Sequence, residues 1–305
     1  MSGTQQTVAI GRGYAATRSA SRAWFGGVHG ADYVWAIAFA LPYVAIFLAF
    51  VVYPIAFGIW MGSDVALYRE LFSDPRYVTT VFNTLIYVGI GVNLKLFLAF
   101  LLSGFFIRKG WWIKALLVIF ILPWATPALP AYMSIHWFLN GSWGLLNSFI
   151  YEVFNFDGPV YLNERWTGLG ANIGAYIWKT LPFWTVILLA GRMSVPQELY
   201  EAASVDGANG LRRFAHITLP MMANLYLVCT LLDMVFALGD FNSTFFVSGG
   251  GPAMSTEVLA TLGIRYAFTL GIPNQGVATV MSALPVLIPL VILLMRKLRM
   301  SEGQL

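Results

Sequence analysis

Six apolar stretches recur along this chain of 305 residues, at 33–61, 82–107, 111–139, 170–191, 219–247 and 275–295. Each is long enough to cross a hydrocarbon core about 30 Å thick. In lipid every backbone N–H and C=O needs an internal partner, so stretches of this length are expected to cross as helices. The composition points the same way. With 58% hydrophobic and only 10% charged residues, against about 25% charged in ordinary soluble domains, the chain lacks the charges for a water-facing skin. The expected fold class is therefore an all-α integral membrane protein with about six transmembrane helices. Pro123, Pro127 and Pro130 interrupt the third stretch. Each removes a helix hydrogen bond that lipid cannot replace, so this span is expected to be broken or kinked and shielded by protein.

Orientation follows from the basic residues. Arg12, Arg18 and Arg22 precede the first stretch, and Arg108, Lys109 and Lys114 lie between the second and third. Arg192, Arg212 and Arg213 lie between the fourth and fifth, and Arg296, Lys297 and Arg299 follow the last. The opposite side holds Arg69, Arg76, Arg165 and Arg265. Both termini are expected in the cytoplasm, with a flexible tail over 1–31, a six-helix membrane domain over 32–299 and a short tail over 300–305. The first stretch has no cleavage-site pattern and reads as a retained span. Trp35, Trp60, Trp111, Trp112 and Trp143 read as interface anchors, and the loop at 140–166 as the place for a short interfacial helix. The net charge of +4 comes from clusters at span ends, which suits topology better than nucleic acid. Cys229 is alone, so no internal disulfide forms, and it reads as a small buried residue. His29, His136 and His216 have no metal-ligand spacing.

The most informative segment lies between the fourth and fifth stretches. Ser194 and Gln197 have capping-box spacing and Pro196 suits a first helical turn, so a helix is expected to start here. Val195, Leu199, Ala202 and Ala203 can share one face, with Glu198 and Glu201 flanking it. Gly207 would end this helix. A second helix carrying Leu211, Phe214 and Ile217 is expected to run to Pro220. The outcome is a short peg of small residues that a partner's groove can accept.

Glu201-Ala202-Ala203, three residues, then Asp206-Gly207-Ala208, followed by Phe214, Ile217, Leu219 and Pro220, resembles the EAA loop of membrane permeases in bacterial binding-protein-dependent ABC importers. Tyr53-Pro54-Ile55, Asn83-Thr84, Trp178-Lys179 and Gly250-Gly251-Pro252 with Thr256 resemble the maltose-type branch, which serves sugars and related polyols. The resemblance implies the type I importer permease fold in the inner membrane and a coupling loop over 194–220. It implies that Glu201, Ala202, Ala203, Asp206 and Gly207 engage an ATPase subunit. The expected partners are a second, different permease, two ATPase subunits and a solute-binding protein. The chain departs from the maltose permease proper, since its outer loop at 62–81 is short. It also lacks the G-x-x-x-x-G-K-[ST] run, so ATP and Mg²⁺ are expected on the ATPase partners and no cofactor on this chain.

For the solute path the candidates are Asp240, Phe241, Asn242 and Asn83. Carboxyl and amide groups hydrogen-bond sugar hydroxyls, and aromatic rings stack on sugar C–H faces. Asp240 reads equally as interhelical glue, and Asn83 as a bond to a neighbouring helix. Asp233, Lys95 and Lys179 are costly in a bilayer. Pairing of Asp233 with a lysine, or snorkelling of Lys95, would lower that cost. An ion relay through Asp233, Asp240, Lys95 and Lys179, as in a secondary transporter, is the reading from a different class. Within the importer class, a polyamine or an ion is an alternative solute.

Overall fold

The computed structural model describes residues 30–302, with side chains described over 35–297. Residues 1–29 and 303–305 lie outside the described residues, and with them Arg12, Arg18, Arg22, His29 and most of both expected tails.

Helix α1, Trp35–Met61, matches the first apolar stretch. It carries Pro42 and Pro54, and Pro54 follows a π-helical turn over Leu48–Val52. The widened turn makes room for the proline ring, which would otherwise strike the carbonyl four residues back.

A second unit runs from Gly58 to the end of the chain. Helix α2, Val65–Ser73, is capped by Asp64, whose Oδ1 accepts from the Ala66 N–H at 2.8 Å. Helix α3, Pro75–Phe106, begins seven residues before the apolar stretch it was expected to match. Asp74 caps it and Pro75 opens it, a start signal strong enough to hold Arg76 and Tyr77 in the first turns. The third stretch forms two helices, α4, Trp111–Ala125, and α5, Ala128–Phe138, bent by 95° at Thr126–Pro127. Helix α6, Leu145–Phe154, is the short helix expected in the 140–166 loop. Helix α7 spans Arg165–Met193, α8 Gln197–Val205 and α9 Gly210–Leu238. Short helices α10, Asn242–Val247, and α11, Leu259–Ile264, precede α12, Pro273–Lys297.

Two expectations change in the fifth span. Pro220 does not end the loop's second helix, because a π-helical turn over Phe214–Thr218 absorbs it and α9 continues unbroken. The fifth span stops at Leu238 rather than 247, and Gly239, Asp240 and Phe241 form a break before α10. Asp240 therefore sits in a corner and not within a span.

Helices α3 and α7 run parallel, tied at one end by Arg165 Nη2 to Asn83 Oδ1 (2.9 Å). At the other end Arg192 donates to Ser103 Oγ and the Phe100 carbonyl (both 3.1 Å). Helix α9 lies antiparallel to both, with Phe214 against Phe100 and Asp233 against Lys95. The core between them is built from Val92, Leu96, Leu169, Trp184, Leu188 and Cys229. Outward faces stay apolar, as Phe97, Ile119, Val186 and Ile288 show, which suits contact with lipid tails. Arg192 and Arg213 flank the Phe100 end of this unit, whereas Arg76, Arg165 and Arg265 gather at the Asn83 end.

Candidate functional site

The 194–220 segment folds as a helix, a tight turn and a second helix. Helix α8 starts after Pro196. The expected Ser194 cap does not form: the hydroxyl of Ser194 turns back to the Gly191 carbonyl at 2.7 Å, because Ser194 still completes the last turn of α7. At the far end the Ala208 N–H donates to the Ala203 carbonyl (2.9 Å) and the Gly207 N–H to the Ser204 carbonyl (3.1 Å). That pair is the Schellman pattern, and it requires the left-handed backbone Gly207 adopts at φ +74°. Asn209 then caps the next helix, accepting from the Arg212 N–H at 2.9 Å.

Val195 is not on the presented face. It is buried in the core, where Tyr200, Phe214 and Ile217 pack nearby, and the Tyr200 hydroxyl meets Thr218 Oγ1 at 2.9 Å. These contacts clamp α8 to the base of α9. The open residues include Glu198, Leu199, Glu201, Ala202, Val205, Asp206 and Gly207, with Ala203 half-buried. Gln197 Nε2 donates to Glu201 Oε1 at 2.8 Å, which orients the carboxyl on the helix surface.

The second site is a cavity of about 480 Å³ between α4, α5, α7, α9 and the corner after α9. Aromatic rings of Trp124, Tyr132, Tyr176, Phe183, Trp184 and Phe236 line it, together with Lys179, Thr180, Asp233, Asp240 and Asn242. Among the described residues, the charged groups at or just behind its wall fall into three clusters. Lys95 Nζ meets Asp233 Oδ1 at 2.8 Å and Thr180 Oγ1 at 2.8 Å, stands 3.6 Å over the Tyr176 ring, and both charged side chains are sealed. The Tyr176 hydroxyl donates to the same Asp233 oxygen at 3.1 Å. The expected lysine pairing of Asp233 is thus met by Lys95, which does not snorkel. Lys179 instead donates to the carbonyls of Pro123 (2.7 Å), Trp124 (3.1 Å) and Thr126. It caps the carbonyls that the proline break frees. Asp240 forms the third cluster: its Oδ2 accepts from the Tyr87 hydroxyl at 2.6 Å and from the Ser243 hydroxyl.

Asn242 joins Asp240 at the cavity. Phe241 stacks on Phe245 at 4.5 Å beside it. Asn83 does not reach the cavity. It is fully buried near the start of α3, donating to the carbonyls of Ser255 (2.8 Å) and Glu257 (2.9 Å) while Arg165 donates to its oxygen. It pins the 248–258 loop, alongside Ser248–Thr256 and the Arg265–Glu257 pair. The glycines at 249–251 shape that turn, with Gly249 and Gly250 at positive φ. Outside the spans, the Arg76 guanidinium holds the Asp74 carboxyl down at about 2, helped by a hydrogen bond from Tyr266. The residues that sequence reasoning passed over are Tyr87, Tyr132 and Tyr176. A tyrosine among apolar neighbours carries no signal until its surroundings are seen: the hydroxyls of Tyr87 and Tyr176 reach Asp240 and Asp233, and Tyr132 lines the cavity.

The family model described as the binding-protein-dependent transport system inner membrane component matches residues 31–300. The chain belongs to this family. It is thus a multi-pass, inner-membrane permease of a binding-protein-dependent importer. The permease is 30% identical to the sulfoquinovosyl glycerol transport system permease protein SmoG of Agrobacterium fabrum, over 75% of this chain and 79% of that one. It is 29% identical to the trehalose/maltose transport system permease protein MalF of Thermococcus litoralis, over 80% and 86% respectively. The fold of the permease is that of a chain in a bacterial ABC transporter importing the acidic polysaccharide alginate. There the TM-score is 0.75 at 22% identity, covering 88% of this chain and 96% of that one.

Proposed function

We propose that this permease carries a sugar, polyol or sugar-phosphate delivered by an external solute-binding protein, and that α8 receives the motion of an ATPase partner. The observation that carries the proposal is the exposed, Schellman-terminated helix at Gln197–Val205, clamped to α9 through Tyr200 and Thr218. A small-residue helix held this firmly transmits a push to the spans instead of bending under it. Relatives named for trehalose/maltose and sulfoquinovosyl glycerol transport support the carbohydrate class. The cavity does too, because its rings offer stacking faces and Asp240 and Asn242 offer hydrogen bonds to hydroxyls.

In this reading ATP and Mg²⁺ bind to two ATPase subunits, and closure of that pair draws Glu201, Ala202, Ala203, Asp206 and Gly207 inward. The bundle of α3, α7 and α9 then moves as a body and switches the cavity between the two sides of the membrane. A second, different permease completes the pathway. The Arg108, Arg192, Arg212 and Arg213 end is cytoplasmic, as are both termini, with the flexible 1–31 tail and the 300–305 tail flanking the 32–299 membrane domain. The clustering of Lys95, Asp233, Lys179 and Asp240 into separate groups favours this reading over an ion relay. The test is pull-down of the ATPase subunit with the wild-type chain and with Glu201→Lys. Retention by wild type and loss in the variant is expected, and equal retention by a variant that still assembles with the partner permease would overturn the role of α8.

A further inference from the structure

We infer that the cavity selects a neutral polyhydroxylated solute and disfavours one bearing a phosphate, sulfonate or carboxylate; this rests on the carbohydrate reading above and narrows it. Four charged groups bear on the cavity wall. Lys95 and Asp233 cancel each other in a sealed pair at 2.8 Å. Among the described residues that line the cavity, Lys179 is the cation left to hold an anionic solute. Its ammonium has three protons, and the carbonyls of Pro123, Trp124 and Thr126 take them. Those carbonyls are the negative end of α4, so part of the lysine's charge is offset where it sits.

The other side of the break offers an anion little. Helix α5 starts at Ala128, but Pro127 and Pro130 have no N–H to give, so its first turn is short of the donors that bind anions at helix starts. Asp240 is the group left over. Tyr87 and Ser243 both engage Oδ2, and no described residue donates to Oδ1 within hydrogen-bond distance. A carboxyl fixed by one oxygen and open at the other accepts a solute hydroxyl and repels a solute anion at short range. The relatives take solutes of both kinds, so these residues, and not the family, decide the charge class for this chain.

The test is uptake by the complete importer, with its own binding protein, of matched pairs: trehalose and trehalose 6-phosphate, glycerol and glycerol 3-phosphate. The account expects a neutral member to be carried at least about tenfold faster than its phosphate ester, a factor worth ~1.4 kcal/mol. Asp240→Asn should lower neutral uptake about tenfold, with Asp240→Glu recovering part of it. Tyr87→Phe, which keeps the ring and drops the hydroxyl, should raise the KM for the neutral solute with the maximal rate little changed. Faster uptake of the phosphate ester, or unchanged neutral uptake by an assembled Asp240→Asn complex, would overturn the inference and leave the carbohydrate reading standing. An importer whose uptake and ATP hydrolysis answer to no carbohydrate probe would overturn both.

Discussion

Lys95 on α3 and Asp233 on α9 meet at 2.8 Å, and neither side chain is more than 1% exposed. The pair fixes the register of two antiparallel spans at the level of the cavity. Its value is conditional: a buried pair gains little over apolar packing, but removing one partner strands the other. Lys95→Met should therefore cost about 3–5 kcal/mol, read as a fall in the unfolding midpoint of the purified complex. Lys95→Met combined with Asp233→Leu should recover much of the loss.

Lys179 is expected to behave differently. Lys179→Met strands three carbonyls at the Thr126–Pro127 break rather than a carboxyl, and each charged hydrogen bond lost is worth roughly 1.5–3 kcal/mol. Because those bonds hold the 95° bend, a spin-label pair across α4 and α7 should report a broadened distance distribution. An unchanged distribution would contradict the capping role.

Gly207 sits at φ +74° with open space where a Cβ would go, so substitution strains the backbone alone. Gly207→Ala should cost about 1–2 kcal/mol locally, Gly207→Asn less, since asparagine tolerates this conformation better. ATPase stimulation by the loaded binding protein should fall in the order glycine, asparagine, alanine, with Gly207→Pro abolishing it.

Just before α3 the Asp74 carboxyl is held at about 2, chiefly by Arg76, with help from Tyr266. An acid whose folded value lies below its unfolded value of about 3.9 stabilises fully above that unfolded value. The contribution is lost as pH falls from about 4 through 2. The midpoint difference between wild type and Asp74→Asn should be constant above pH 5 and shrink below pH 4.

Much of this architecture was legible in the sequence because lipid allows few solutions. The apolar stretches, the prolines of the third span and the helix-breaking Gly207 each name their structure directly. What could not be read depends on register in depth. Lys95 and Lys179 look alike as single lysines in apolar helices, and only their heights decide that one meets Asp233 and the other a broken helix. Asn83 reads from sequence both as an amide that could bond a solute hydroxyl and as a bond to a neighbouring helix, and only the fold shows the 248–258 loop taking its donors. Tyr87 gave no sign, because its role depends on Asp240, 153 residues away, turning a corner after Leu238.

The central claim is that this chain moves solute on energy supplied by another polypeptide through α8. Vesicles containing the chain with its partner permease, ATPase subunits and binding protein test it most directly. The account predicts uptake that requires ATP on the ATPase side, persists when ion gradients are collapsed, and is lost with Glu201→Lys. Uptake driven by an ion gradient in vesicles without the ATPase subunits would contradict it.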